Sequence, residues 1–402
     1  MIKKHGRILL GLLGFAVAIA FLLFVAYYLQ VTFGMVGMIL TELGILVIAL
    51  LGWLVSRRSF KEVFPLKRPD AEAMKGGAQV YFGVYSVTLG VSYLLLYFFP
   101  GMSEVSGALG EFFSQGDAWL AVLGVAILPG ICEEALNRGF ILSTFKSVRR
   151  TWVVVLCMGV LFGLFHMDVY RFLPTALLGA GLTYIAIKTG NLLLPILFHT
   201  TNNLISLLPV LFGMDSGGAG GALVISPFAL AGSLMFFFSL GALLLYFGVR
   251  SLNGKSWEIN PKAQRRKAVI KVVCNIFIFI GLVGMFFSAP VQPVFETNFT
   301  ITLTEPFHDG GQIFTVKTPD SYTILLKIEG ENALGIVTIT DSSGAVVYQV
   351  QGEGLTLSEA RQFAAGDYAV SIDLVPQNGA TDVPAAVSLK VTSRLGAILE
   401  GT

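Results

Sequence analysis

Over the first 290 residues the apolar positions come in long runs separated by short polar segments. Long apolar stretches fall at about 8–30, 34–55, 79–99, 118–145, 152–173, 174–189, 191–213, 227–249 and 269–289. Most are near the ~20 residues a helix needs to cross hydrocarbon. The stretch 174–189 is short and opens with Pro174. The pattern predicts about nine membrane spans. The first follows a basic start that includes Lys3, Lys4 and Arg7. It is longer than a secretory signal core and no clear small-x-small cleavage site follows, so it reads as a retained span.

From about residue 291 the period becomes two. Phe299, Ile301 and Leu303 alternate with threonines, and Tyr322, Ile324, Leu326 and Ile328 alternate again. Val346, Tyr348 and Val350 follow the turn Asp341-Ser-Ser-Gly344. Then come Tyr368, Val370, Ile372 and Leu374, and finally Val387, Leu389 and Val391. Alternation between Gly, Asp and Asn turns is a strand signal, and seven or eight such strands suggest a β-sandwich. The expected architecture is a polytopic α-helical membrane bundle with a C-terminal, all-β, sandwich-like extracytoplasmic domain. Its parts are N-terminal spans at 1–114, a central core at 115–215, further spans at 216–290 and the β-domain at 291–402. His308, the one histidine of the tail, is expected in a loop. Asn298-Phe-Thr300 matches a glycosylation sequon, which has meaning only in a eukaryotic secretory setting.

Composition supports this division. The chain has 402 residues, 54% hydrophobic and 13% charged; soluble domains carry about 25% charged residues. Residues 1–290 hold 22 Lys and Arg against 12 Asp and Glu, whereas 291–402 hold 5 against 13. With the N-terminus inside, the cytoplasmic segments would be 1–7, 56–78, 146–151, the turn near Lys188 and 250–271. These hold 20 of the 22 basic residues, the positive-inside pattern. The loop 101–117 has Glu104, Glu111 and Asp117 and no cation. An odd number of spans then places the tail outside. Such a protein is expected in a plasma membrane, multi-pass, and a bacterial one suits the plain basic start. Basic residues at membrane edges argue against nucleic acid binding. Cys132, Cys157 and Cys274 lie in apolar runs, so no disulfide framework is expected. The loop 56–78 carries Phe60, Val63, Phe64 and Leu66 among basic residues, and is either a short helix on the inner surface or a solvated linker.

The polar groups inside the spans are few. They are Glu42, Glu133, Glu134, Arg138, His166, His199, Asn202 and Asn203, with Asp168 and Arg171 near an outer edge. Each charge in hydrocarbon costs about 2.5–3.5 kcal/mol even on the lenient insertion scale, so each needs a partner or a task. Glu134 and Arg138 are four apart and can pair on one helix face. Glu133 points about 100° away and needs a partner from another helix. Phe162 and His166 share a face, as do His199 and Asn203. By rise per residue, Glu133 lies about 18 Å and His166 about 22 Å above the turn near Lys146. His199 comes out lower, at about 12–15 Å, and its helix must start deeper or tilt.

A buried carboxylate with two imidazoles can activate water. Asn203 and His199 carry N–H donors suited to an oxyanion. Alternatively, Glu133, His166 and His199 could hold Zn²⁺; spacing does not separate these readings, and no His-Glu-x-x-His signature is present. The water-activating reading requires no cofactor. Blander readings stand beside it. Glu134–Arg138 can be a structural ion pair, Asn202 and Asn203 can bridge helices, Phe162 can be packing, and Asp168 and Arg171 can be a surface pair. Glu42 can be a protonated acid or an interhelical bond.

At these residues the chain resembles the CAAX protease and bacteriocin-processing family of intramembrane endopeptidases. The family's three motifs read here Glu133-Glu134-Ala-Leu-Asn-Arg138, Phe162-Gly-Leu-Phe-His166 and His199-Thr-Thr-Asn-Asn203. The resemblance covers roughly 115–215. It implies hydrolysis of peptide bonds in membrane proteins or membrane-associated peptides. Glu133 would be the general base, assisted by His166, with His199 and Asn203 as oxyanion donors. Glu134 and Arg138 would support the site, with Phe162 packed beside it. The expected partners are the lipid bilayer, a peptide or membrane-protein substrate, and an extracytoplasmic partner for the β-domain. Two other readings remain: a non-catalytic scaffold or immunity protein acting through the β-domain, and a proton-coupled transporter relaying protons through Glu42, Glu133, His166 and His199.

Overall fold

A computed structural model describes residues 4–99, 117–212, 227–254, 261–287, 295–316, 320–377, 380 and 382–393. The acidic stretch with Glu104 and Glu111 lies outside the described residues. The chain forms two compact units, Met1–Leu223 with Leu230–Val283, and Val224–Ala229 with Gly284–Thr402.

The first unit is helical. Helices α1 (Lys4–Phe21) and α2 (Tyr27–Ser56) are joined by the π-helical turn Leu22–Ala26. Within α2 the backbone breaks at Gly34, whose φ of 53° and ψ of −126° only glycine takes readily. The chain reverses there: Gly37 faces the Leu29 carbonyl and Gly44 faces Phe21. What is continuous by hydrogen bonding is thus an antiparallel hairpin, as the two apolar runs at 8–30 and 34–55 predict.

The short α3 (Phe60–Val63) follows, then α4 (Ala71–Phe98) and α5 (Ala118–Thr144). Next come α6 (Thr151–Phe165), α7 (Val169–Thr189) and α8 (Leu193–Leu211). Last are α9 (Pro227–Leu252) and α10 (Pro261–Phe287). Among the described residues six helical stretches are long and apolar enough to cross a membrane; the hairpin counts as one of them, Gly6–Ser56. Thr151–Phe165 and Leu193–Leu208 are apolar but shorter. The bundle presents apolar side chains outward: Phe24, Leu51, Val169 and Phe279 are all exposed. Inside it keeps glycines and most of its polar groups. Such a surface suits lipid and not water, and the unit is that of a multi-pass membrane protein.

Two boundaries and one pairing read from the sequence need correction. Helix α4 starts eight residues earlier than hydropathy indicated, because the Asp70 carboxylate caps it by accepting from the Ala73 amide at 2.7 Å. The break placed at 173/174 lies at 166–168, where Met167 has a φ of 50°; Pro174 sits inside α7. Asp168 is not in a surface pair with Arg171. It caps α7, accepting from the amides of Tyr170 and Arg171 at 2.8 and 3.2 Å.

The segment 56–70 is neither a surface helix nor a loose linker. Val63 and Phe64 are buried against Gly139, and Phe60 and Phe64 pack on Trp53. The Pro65 carbonyl accepts from the Leu192 amide, and the Lys67 carbonyl from the Asn191 side chain. The turn before α8 is thereby held within the bundle, with Asn191 and Leu192 buried.

The second unit is a β-sandwich of eight antiparallel strands. They are β1 (Phe295–Leu303), β2 (Phe307–Val316), β3 (Asp320–Glu329), β4 (Ala333–Asp341), β5 (Val346–Glu353), β6 (Thr356–Phe363), β7 (Gly366–Pro376) and β8 (Val383–Ser393). One sheet runs β1-β8-β3-β6 and the other β2-β7-β4-β5. The alternating residues read from sequence on β3, β7 and β8 all face the core. On β5 only Tyr348 is fully buried, and Val346 is exposed. His308 is in strand β2, not a loop, and pairs with its cross-strand partner Asp373 at 2.5 Å.

The turn after β4 depends on Asp341. Its Oδ1 accepts from the Ser343 hydroxyl at 2.6 Å and from the amides of Ser343 and Ala345. The Ser343 hydroxyl, then the Ala345 amide, hold this carboxyl below its ordinary range. A depressed folded value means that its stabilisation is complete above the ordinary carboxylate range and is lost as pH falls through the depressed value. Asp341→Ala is therefore expected to speed amide exchange at Ser343 and Ala345 near neutral pH. The difference from wild type should shrink in acid, below about pH 4.

Candidate active site

The site is built on α5. Its backbone alternates α-helical and π-helical turns: Val122–Ile127 is π-helical, Leu128–Glu134 α-helical and Ala135–Ile141 π-helical again. A π turn carries an extra residue and loosens the carbonyl ladder, and such turns collect at functional positions. Here the Val125 carbonyl accepts from Asn203 Nδ2 at 3.0 Å. This ties α8 to α5. The crossing is close because Gly130 faces Thr200; any Cβ there would meet both the Thr200 hydroxyl and its backbone.

Glu134 and Arg138 are both fully buried. The guanidinium donates to Glu134 Oε1 at 2.5 Å, to the Gly179 carbonyl at 2.8 Å and to Thr183 Oγ1 at 3.4 Å. It also lies over the Phe162 ring, 4.3 Å from the centroid. Glu134 Oε1 accepts a second bond, from His199 Nδ1 at 2.9 Å. His199 therefore does reach the level of the carboxylates. The stapled turn at 191–192 starts α8 inside the bundle and supplies the depth that residue counting lacked.

Phe162 is the hub of the rings. Its centroid is 5.0 Å from that of His166 and 5.5 Å from that of His199, both edge-on. It reaches this place because Gly179 offers no side chain, and a Cβ there would stand 2.6 Å from Phe162 Cβ. Gly179→Val is expected to cost about 1–3 kcal/mol by overpacking. It would also displace Phe162 from the guanidinium. Thermal unfolding in detergent measures this.

Hydrogen bonding assigns the histidine faces. His166 ends α6, and its Nδ1 lies 2.9 Å from the Phe162 carbonyl. A carbonyl only accepts, so Nδ1 carries the proton and Nε2 of the neutral ring is an acceptor. His199 spends its Nδ1–H on Glu134, so its Nε2 donates only when the ring is an imidazolium. Asn203 has one N–H committed to Val125, and its Oδ1 accepts from Asn202 at 3.1 Å; its second N–H is uncommitted.

Glu133 is 8% exposed, and its Oε2 is buried without a hydrogen-bond partner. The charges that act on it come from His199, Glu134, Arg138 and Arg171. Among the described residues no group of three His, Cys, Asp or Glu side chains is placed to hold a metal ion. Sequence reasoning missed Gly179 and Thr183, which present a carbonyl and a hydroxyl without any charge to mark them. A cavity of about 510 Å³ lies on the other side of Arg138, lined by Lys61, Lys67, Lys146 and Phe145 among others, and by no other residue of the site.

A carboxylate pair, a guanidinium and two imidazoles gathered inside an apolar helical bundle make a membrane-embedded acid–base site. Residues 115–205 match the family model described as type II CAAX prenyl endopeptidase Rce1-like. The chain carries an Rce1-like domain of the CAAX protease and bacteriocin-processing family over that segment. No curated protein and no solved structure matches the chain.

Proposed function

We propose that this protein is an intramembrane endopeptidase that hydrolyses peptide bonds of membrane-associated proteins or peptides. The observation that carries the reading is the convergence of all three motifs on one buried cluster. Glu134 bonds both Arg138 and His199, and Phe162 touches both imidazoles.

In the proposed reaction Glu133 takes a proton from water while His166 Nε2 orients it. The water oxygen bonds to the scissile carbonyl carbon. The resulting oxyanion receives N–H bonds from Asn203 and from Nε2 of His199 in its doubly protonated form, whose Nδ1–H stays on Glu134. The carbon–nitrogen bond then breaks as Glu133 returns its proton to the leaving amine. No step needs a metal. Nine helical segments cross the cell membrane in this reading. The N-terminus is cytoplasmic, and the β-sandwich is an extracytoplasmic module for docking a partner.

The test is a proteomic comparison of cells carrying wild type or Glu133→Gln at matched levels. Membrane-proximal peptides produced only by wild type are expected. Identical peptide sets, with both proteins inserted, would overturn the reading.

A further inference from the structure

One buried acid has no place in that scheme. Glu42 lies on the second arm of the α1–α2 hairpin, 6% exposed, with Oε2 buried and unpartnered. We infer that Glu42 is a positioning residue of the same site, whose carboxyl holds a proton and donates it in a hydrogen bond to Glu133. This rests on the endopeptidase reading for its catalytic consequence, but not for the pairing itself.

The placement follows from helix geometry. Glu42, Ile45 and Ala49 are at i, i+3 and i+7, hence on one face. Ile45 and Ala49 belong to the same buried cluster as Cys132, Leu136 and Phe140 on α5. The two helices run parallel: Ile39 and Met35 face Gly124, and Gly52 faces Phe140. Interpolating between those contacts sets Glu42 opposite residues 127–130, within about two turns of Glu133 along the axis. Glu42 is near enough to feel the charge of Glu133, and the Cys132 thiol feels both carboxyls.

Chemistry then limits the options. Glu134 is neutralised by Arg138, and His199 bonds the same oxygen. Glu133 senses the like charge of Glu134 together with the imidazole of His199 and the cations Arg138 and Arg171. Among the described residues, Glu133 is the one charged group acting on Glu42. Thr41, its neighbour on the same arm, donates instead to the Gly37 carbonyl. Two carboxyls facing one another in an apolar interior hold one proton between them rather than two charges. The proton belongs on the side without cations, which is Glu42. Its O–H then satisfies the orphaned Oε2 of Glu133, fixes that side chain and leaves the other oxygen to meet water. The pair titrates as a unit.

The test uses full-length protein in lipid nanodiscs, with an internally quenched farnesylated peptide as probe. Glu42→Leu is expected to lower kcat about tenfold to a hundredfold with little change in KM, the loss of a hydrogen bond to a charged group. Glu42→Gln, which keeps a donor but cannot titrate, should regain most of that loss and shift the acid limb of the kcat–pH profile. By infrared spectroscopy, wild type should show a protonated-carboxyl band at neutral pH that vanishes in Glu42→Gln and moves in Glu133→Gln. A Glu42→Leu protein with wild-type kcat and acid limb would overturn the inference, as would a carboxyl band that Glu42→Gln leaves in place. If wild type cleaves no probe, the endopeptidase reading is at fault, and the infrared arm still decides the pairing. If Glu42→Leu fails to insert, Glu42→Gln carries both readouts.

Discussion

Replacing Glu133 by Gln is expected to reduce peptide cleavage by about a thousandfold or more. Gln keeps the shape and one oxygen acceptor, but it cannot take a proton from water. General-base steps are worth about 10²–10⁴-fold. No neighbouring group can assume the task at full strength. Glu134 is held by Arg138 and His199, and His166 is fixed with one acceptor nitrogen by the Phe162 carbonyl. The fold should not suffer, because the substitution removes a buried charge while keeping the shape of the side chain and one acceptor oxygen. Cleavage and thermal stability are therefore expected to separate: near-zero turnover with an unfolding midpoint at or above that of wild type. Single-turnover cleavage and a detergent melt on one preparation measure both. A Glu133→Gln protein that still cleaves would remove Glu133 from the role of base.

The opposite pattern is expected for Arg138→Met. Here stability should fall first. The guanidinium satisfies Glu134, the Gly179 carbonyl and Thr183, and covers the face of Phe162. Removing it strands a carboxylate with no exposed surface. Breaking a buried pair from one side costs about 3–5 kcal/mol, whereas replacing both partners is far milder. The double variant Glu134→Gln, Arg138→Met should consequently recover much of the lost stability. It should not recover activity, since His199 would then lack the carboxylate that fixes its ring. A single variant as stable as wild type would show that the bond from His199 alone is enough to hold the buried Glu134 carboxylate.

Most of the architecture was legible because it rests on period. Each apolar run falls on helix, six helical stretches being long and apolar enough to cross a membrane among the described residues, and the period-two residues of β3, β7 and β8 are buried as read. The strands that escaped have physical reasons. Strand β2 contains Gly310-Gly311 and a register shift between Gly310 and Gln312. Strand β6 is an edge strand with Ser358, Glu359 and Arg361, which do not alternate with apolar residues. In the membrane unit the errors gather where a polar side chain or a backbone reversal overrides hydropathy. Asp70 and Asp168 cap helices, and Met167 turns the chain. In the site, residue types and i,i+4 spacing marked the charged and imidazole groups. Neither indicated the π turns that free the Val125 carbonyl, nor Gly179 as a ligand of Arg138. Glu42 was visible as an anomaly, but its neighbour was not, because the contact joins residues about ninety positions apart.

One dimension of the bundle bears on where a substrate would be met. Helix α6 has 15 residues, a length of about 22 Å against a hydrocarbon thickness of about 30 Å. His166 stands at its end. A helix this short leaves a hydrophobic mismatch of about 8 Å, which a bilayer meets by thinning around the protein. Lipid headgroups and water would then dip towards the imidazole. A substrate helix arriving through that depression would lose its own hydrocarbon cover at its end, where backbone hydrogen bonds fray first. On the endopeptidase reading, membrane thickness, set by acyl-chain length, would then control which peptide bonds reach the site.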